Sequence, residues 1–451
     1  MSNEKFSTVV KGGLVVSPEG VSKADVGIKG EKVAKVGLDL STEGAKVIDA
    51  SGKYVLPGVL DVHTHPVYTD DLGGMSVTAA FGGVTTLIHY GYVKPGQKVI
   101  PTLEWFRDEG LGKSLLDFSL HGGLFDVANQ LEDVPKAIKM GITSFKVFMT
   151  YAKIKWMTDD YWMTALMDVM AHEHGLSMVH AENGLATDYL EDKYNREGRS
   201  PVDTFTEVRP DLLEAEAFNR AMLVAQVMGS ALYVVHNSAA ACLEPMRRAQ
   251  QNGWKVWGET CPQYLTLTKE TTRKFKAQAK IGPPLRTVED NEALWKGLAD
   301  GTLCTVASDS APKAKNIDDD FIAAPYGAPS IETMLRMVYH EGVNKGRITL
   351  PRLVDVLCET PAKIFGLYPK KGCLKNGADA DLILFDPACK ETITASNLHS
   401  GSGYTLYEGR EVMGATTLVM QRGSVIIEDG KLIGKPGHAQ FIPTNTSHLY
   451  E

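Results

Sequence analysis

A chain of 451 residues is long enough for one large domain of roughly 250 to 350 residues and a smaller one, with a sizeable buried core. Its 43% hydrophobic and 23% charged content excludes a disordered or repetitive protein, and a net charge of −8 without a Lys/Arg-rich stripe argues against a nucleic-acid partner. No segment approaches the roughly 20 apolar residues that cross a bilayer, the first residues lack a signal-peptide pattern, and the six cysteines contain no CxxC, so a cytoplasmic protein without a membrane partner is expected, its cysteines serving in packing.

Residues 7–50 read as short alternating segments, such as Lys32-Val33-Ala34-Lys35-Val36, broken by Gly12-Gly13, Pro18-Glu19-Gly20 and Gly30. A second β-rich piece begins near Ala380 with Asp381-Leu382-Ile383-Leu384-Phe385. The two ends, 1–53 and 371–451, are expected to form one small β-sandwich domain. Between them, over 54–370, candidate strands at 55–62, 84–89, 115–120, 143–149, 176–181, 231–236, 254–258 and 303–308 alternate with amphipathic stretches such as 159–174, 212–228 and 291–299. Eight strand–helix units predict an α/β fold, a (β/α)8 TIM-like barrel. No GxGxxG follows the first strand to support a doubly wound dinucleotide fold.

In such a barrel the reactive side chains sit at the C-terminal ends of the strands. His63-Thr64-His65 closes the first candidate strand, and side chains at i and i+2 point to one face of a strand, so the imidazoles form half a metal site. Later strands deliver Lys146, His180, His236 and Asp309 at or near their ends. Lys146, inside the apolar run Phe145-Lys146-Val147-Phe148-Met149, has two readings. It is either a lysine at an exposed edge or paired with a carboxylate, or an amine whose pKa falls on burial and which reacts with CO2 to give a bridging carbamate. His172-Glu173-His174 falls on a predicted helix, where i and i+2 diverge, and is assigned to a solvated face. His89 and His121 end candidate strands and are assigned packing or supporting roles, and Asp318-Asp319-Asp320 reads as a solvated loop.

Taken together, His63-Thr64-His65, Phe145-Lys146-Val147-Phe148-Met149-Thr150-Tyr151, His180-Ala181-Glu182-Asn183, His236, Glu259-Thr260-Cys261-Pro262-Gln263-Tyr264-Leu265, Gly282-Pro283-Pro284-Leu285-Arg286, Ser308-Asp309 and Gly377-Ala378-Asp379-Ala380-Asp381 resemble the hydantoinase/dihydropyrimidinase branch of the amidohydrolase superfamily. The resemblance implies that His63, His65 and Asp309 bind one divalent metal, that His180 and His236 bind a second, and that a carbamylated Lys146 (N6-carboxylysine) and a hydroxide bridge them. Imidazole and oxygen ligands suit zinc, with manganese or cobalt as alternatives. It further implies opening of a small cyclic amide by the bridging hydroxide, with Asp309 as general base and acid, Tyr151 donating to the oxyanion, Gly282 and Tyr326 among the substrate contacts, and a homotetramer.

The chain departs from the family pattern in several places. Val67 stands where dihydroorotases carry an arginine, which disfavours that activity. Ser310 replaces a usual histidine, Tyr326 an asparagine and Gly282 a serine, and the segment from Pro66 to Val77 is short. Ring opening is therefore the expected chemistry, with allantoinase, hydrolysis of a non-ring amide, carbamate or thiocarbamate, and a non-catalytic scaffold protein as alternatives.

Overall fold

The computed structural model describes residues 5–451, so the first four residues of the expected small domain lie outside the described residues. Eight parallel strands, Val59–Thr64, Val84–Val93, Asp117–Leu124, Ser144–Phe148, Leu176–His180, Ala231–Val234, Val256–Thr260 and Thr305–Val306, lie side by side in chain order. A parallel bridge between Thr64 and Ser310 and the Ser310 carbonyl, which accepts from the His65 amide at 3.0 Å, bring the first strand back beside the last. The expected barrel is therefore present, with every expected strand in its place. The helices expected at 159–174, 212–228 and 291–299 are Asp160–His172, Asp211–Met228 and Val288–Asp300. Two start on side-chain caps that the sequence carries: Asp159 accepts from the Trp162 amide, and Thr287 and Asp290 form a reciprocal capping box.

Apolar residues from successive strands, among them Leu60, Val62, Ile88, Met178 and Tyr233, form one buried cluster with Phe365, which fills the barrel lumen beneath the site. The opposite strand faces join the helices in a much larger core.

Three strands have bounds that differ from the sequence reading in ways that matter for the site. The candidate strand 55–62 is two strands: Tyr54–Pro57 pairs in the other sheet, and Val59–Thr64 opens the barrel. Gly58 is the step between them, and its amide donates to the Asp381 carbonyl at 3.0 Å. A Cβ there would lie 2.1 Å from Thr85 Oγ1, so Gly58→Ala is expected to lower stability by about 1–3 kcal/mol through overpacking, read as a reduced denaturant midpoint. The second and third barrel strands continue to Val93 and Leu124, so His89 and His121 lie inside strands and do not end them. In the extended parts of these strands the Leu103 and Phe145 side chains pack on bare backbone at Gly91 and Gly122.

The terminal segments build one mixed nine-stranded sheet in which Leu382–Ile393 pairs with Tyr54–Pro57, joining the C-terminal strands to the N-terminal ones. The expected sandwich is this single sheet folded on itself: Val33 donates to the Ala378 carbonyl and Ala380 to that of Glu31, around a core that includes Val26, Val55 and Leu382. Lys371, fully buried, ties sheet to barrel through Asp117 at 2.6 Å, Asp381 at 2.7 Å and Asp379 at 3.0 Å. These three carboxylates sit close enough to hold a metal ion, but the Lys371 ammonium already occupies their centre. No helix among the described residues is long and apolar enough to cross a membrane.

Candidate metal centre

The strand ends converge at one mouth of the barrel. His63 and His65 leave the first strand, Lys146 the fourth, His180 the fifth, and His236 and Asp309 follow the sixth and eighth. One ligand atom each of His63, His65 and Asp309 lies within 4.8 Å of the other two. Asp309 Oδ1 is 2.9 Å from His65 Nε2 and 3.1 Å from His63 Nε2, Lys146 Nζ is 3.0 Å from His63 Nε2, and His180 Nδ1 is 3.0 Å from His236 Nε2. All six residues named from the sequence are thus brought together.

The outward nitrogens explain why the inward ones face the centre. His63 Nδ1 donates to Glu259 Oε1 at 2.6 Å, His180 Nε2 to Glu182 Oε2 at 2.7 Å, and His65 Nδ1 lies 2.6 Å from the Tyr92 hydroxyl. A carboxylate or hydroxyl on one ring nitrogen leaves the lone pair of the other for a cation. Glu259 also accepts from the His236 amide at 2.9 Å and from the Tyr233 hydroxyl at 2.9 Å, and Arg209 holds Glu182 at 2.8 Å. Glu182 and Glu259 stand within the sequence motifs without an expected role, and Tyr92 and Arg209 are in none of them. The available signal was a glutamate closing an apolar strand, Val256–Thr260, and another two residues beyond His180.

Electrostatics suit metal binding. Burial pushes the His65 imidazole down to about 3 against the opposing pull of Asp309, and it lowers His180 and His236 as well, so these rings are neutral. Burial and the Lys146 ammonium also press on His63, but the Glu259 and Asp309 carboxylates outweigh them and raise its pKa. Lys146 is brought down to about 8 by burial, with Asp309 and Glu259 opposing, so a substantial neutral fraction exists near physiological pH. The neutral His65, His180 and His236 rings and the ionised Asp309 carboxylate fit divalent cations, which would take the place of the protons on His63 and Lys146. Burial resists the Asp309 charge, but His63 and His65 overcome it and hold the carboxyl well below the usual range. Tyr151, His236 and Asp309 all take left-handed backbone angles, with φ of 67°, 41° and 50°. Each costs about 1–3 kcal/mol, a strain that clusters at functional sites.

Above the centre lies a cavity of about 210 Å³, walled by aromatic and apolar side chains including Phe148, Trp156, Ile281 and Tyr407. Lys146, His65, His180, His236 and Asp309 form its floor, while His63 is sealed beneath. Tyr151, Gly282 and Tyr326, the residues expected to contact substrate, all line it. Gly282 permits their approach: a Cβ would stand 2.8 Å from the Tyr151 hydroxyl and 3.1 Å from the Tyr326 ring. Ser310 turns away, its hydroxyl accepting from the Ser330 amide at 3.3 Å. The short loop after His65 ends where Asp71 caps the helix Leu72–Phe81, and its Tyr68 joins the cavity wall.

The remaining candidates stay outside. His89 Nδ1 meets Thr64 Oγ1 at 2.7 Å, and His121 bridges Ser144 Oγ at 2.5 Å and the Val62 carbonyl at 2.9 Å, which places both in support of the first strand. His172 ends its helix exposed, and His174, just past it, stacks on Tyr450. Asp318 pairs with Lys276 on the exposed surface.

Residues 54–426 match the model of the amidohydrolase family. The D-hydantoinase of Geobacillus stearothermophilus is 39% identical over 97% of this chain and 96% of its own length. Among solved structures, D-hydantoinase from Bacillus sp. AR9 superposes with a TM-score of 0.92 at 36% identity, covering 97% of this chain and 99% of that one. The dihydropyrimidinase of Brevibacillus agri gives 0.92 at 34% identity, covering 97% and 99%. A barrel whose mouth gathers four histidines, a lysine and an aspartate, matched end to end by these relatives, belongs to the amidohydrolase family, in its hydantoinase and dihydropyrimidinase branch.

Proposed function

We propose that this protein hydrolyses a C–N bond of a cyclic amide of the hydantoin, dihydropyrimidine or cyclic imide type, opening the ring to an N-carbamoyl or half-amide acid. The observation that carries the reading is the convergence of His63, His65, Lys146, His180, His236 and Asp309 under a cavity lined by Tyr151, Gly282 and Tyr326. His63, His65 and Asp309 would hold one divalent cation, His180 and His236 the other, with Lys146 as a carbamate between them; zinc suits the donors best, then manganese or cobalt. Bound there, the cations supply Lewis acidity, which makes water nucleophilic near neutral pH and polarises the scissile carbonyl. The Lys146 amine, neutral when deprotonated, would add to the carbon of CO2 and release one proton, leaving an anionic carbamate.

Asp309 takes a proton from the attacking water and passes it to the leaving ring nitrogen. Tyr151 keeps its phenolic proton, because burial and the nearby Glu182 push its pKa well up against the pull of Arg209, and it donates to the developing oxyanion. Gly282 and Tyr326 present backbone to the ring amide. The same reading extends to a homotetramer, common in the family this chain resembles, and to the cytoplasm, which suits six unpaired cysteines.

The test is turnover of hydantoins, dihydrouracil, cyclic imides, allantoin and linear amides by protein of measured metal content. Ring opening of at least one of the first three, lost on chelation and restored by adding back divalent metal, is expected. Turnover of linear amides alone would overturn the ring-opening assignment, and a protein that binds no metal would overturn the enzymatic one.

A further inference from the structure

Four buried cations in this fold, all away from the cavity floor, are matched by carboxylates. Arg209 pairs with Glu182, Arg286 with Glu214, Arg422 with Asp117, and Lys371 with three aspartates. Lys146 at the metal centre forms no ion pair among the described residues, and neither do the buried Lys280 and Lys315 and the half-buried Lys313, which sit together beside the substrate cavity. Lys280 Nζ donates to the Ile322 carbonyl at 2.7 Å and stands 4.7 Å from the centre of the Tyr326 ring, and Lys315 Nζ donates to the Lys280 carbonyl at 3.3 Å. Lys313 differs from both. Its ammonium makes no hydrogen bond among the described residues, rests 3.9 Å from the centre of the Tyr68 ring, and its side chain lines the same cavity as Asp309, Lys146 and Tyr151.

We infer that Lys313 selects cyclic amides whose exocyclic substituent ends in a carboxylate, which it pairs at the cavity wall. The inference rests on the ring-opening reading and names its substrate class. Three observations converge on it. The Tyr68 ring face holds the ammonium at the wall by a cation–π contact, which leaves its N–H donors for an incoming anion. Lys280 and Lys315 add positive potential without competing for the ligand, since backbone carbonyls already hold them. The cavity is also lined by aromatic rings, among them Phe148, Trp156 and Tyr407, against which a planar cyclic amide can stack while its charged arm reaches Lys313. Burial brings Lys313 down to about 8 against the attraction of Asp309 and with Lys280 repelling it, and burial with repulsion from Lys313 and Lys280 brings Lys315 to about 7, a cost that a bound carboxylate relieves.

The test compares a hydantoin bearing a carboxymethyl arm with the same hydantoin bearing the isosteric carboxamide arm, in turnover and in calorimetric binding to the metal-loaded protein. Wild type is expected to favour the carboxylate by about tenfold or more in kcat/KM, mainly through KM, with the preference shrinking as salt is raised. In Lys313→Gln the ratio should fall towards one, and Lys313→Arg should retain it. Equal kcat/KM and equal binding of the two in wild type, or a preference unchanged in Lys313→Gln, would overturn the inference. If neither ring is opened, the ring-opening reading fails, and the binding preference still decides this one.

Discussion

Lys146→Ala is expected to lose bound metal and to lower ring hydrolysis by at least about a thousandfold, because the lowering of water's pKa from about 16 to about 7 goes with the metal. The side chain is fully buried, its Nζ 3.0 Å from His63 Nε2 and 4.5 Å from the centre of the Tyr90 ring. Alanine alone would not separate a carbamate from a plain buried cation held near Asp309 and Glu259. Lys146→Arg does. A guanidinium stays charged and cannot become a carbamate at neutral pH, so the carbamate reading expects arginine to be as inactive as alanine, with metal content reduced in both. Wild-type-like metal content and turnover in Lys146→Arg would show that a positive charge is all this position supplies.

Asp309→Asn is expected to lower kcat/KM by about 10²–10⁴-fold, the usual loss when a positioned acid–base group is removed. Asparagine keeps the size and one oxygen facing His63 and His65, so the loss is assigned to proton transfer only where metal content stays near wild type. Activity within about tenfold of wild type, with metal in place, would leave Asp309 as a ligand only.

Much of the barrel and its centre was legible in the sequence because the determinants are local. A run such as Leu176-Ser177-Met178-Val179 that ends in His180 states both a buried strand and the polar group at its end. The same logic delivered His63, His65, Lys146 and His236. What it missed depends on partners far along the chain. Glu259 orients His63 across 196 residues, and Ser308 donates its backbone amide to Asp61 across 247. No window of sequence contains both members of either pair. The strands that run past His89 and His121 depend on the same kind of partner: Gly91 and Gly122 continue them where Leu103 and Phe145 need bare backbone.

By itself, then, the sequence determined the periodic elements, their order and the residue types at the strand ends, since side-chain alternation and apolar runs are properties of neighbours in the chain. Only the tertiary structure decided which imidazole nitrogen faces the centre, that Gly58 divides one apolar run between two sheets, and that Lys313 meets Tyr68 on the cavity wall outside any ion pair. Those outcomes depend on which groups share a desolvated space. In such a space an unmatched charge or a misplaced methyl costs most, and its neighbours are chosen by the closure of the barrel.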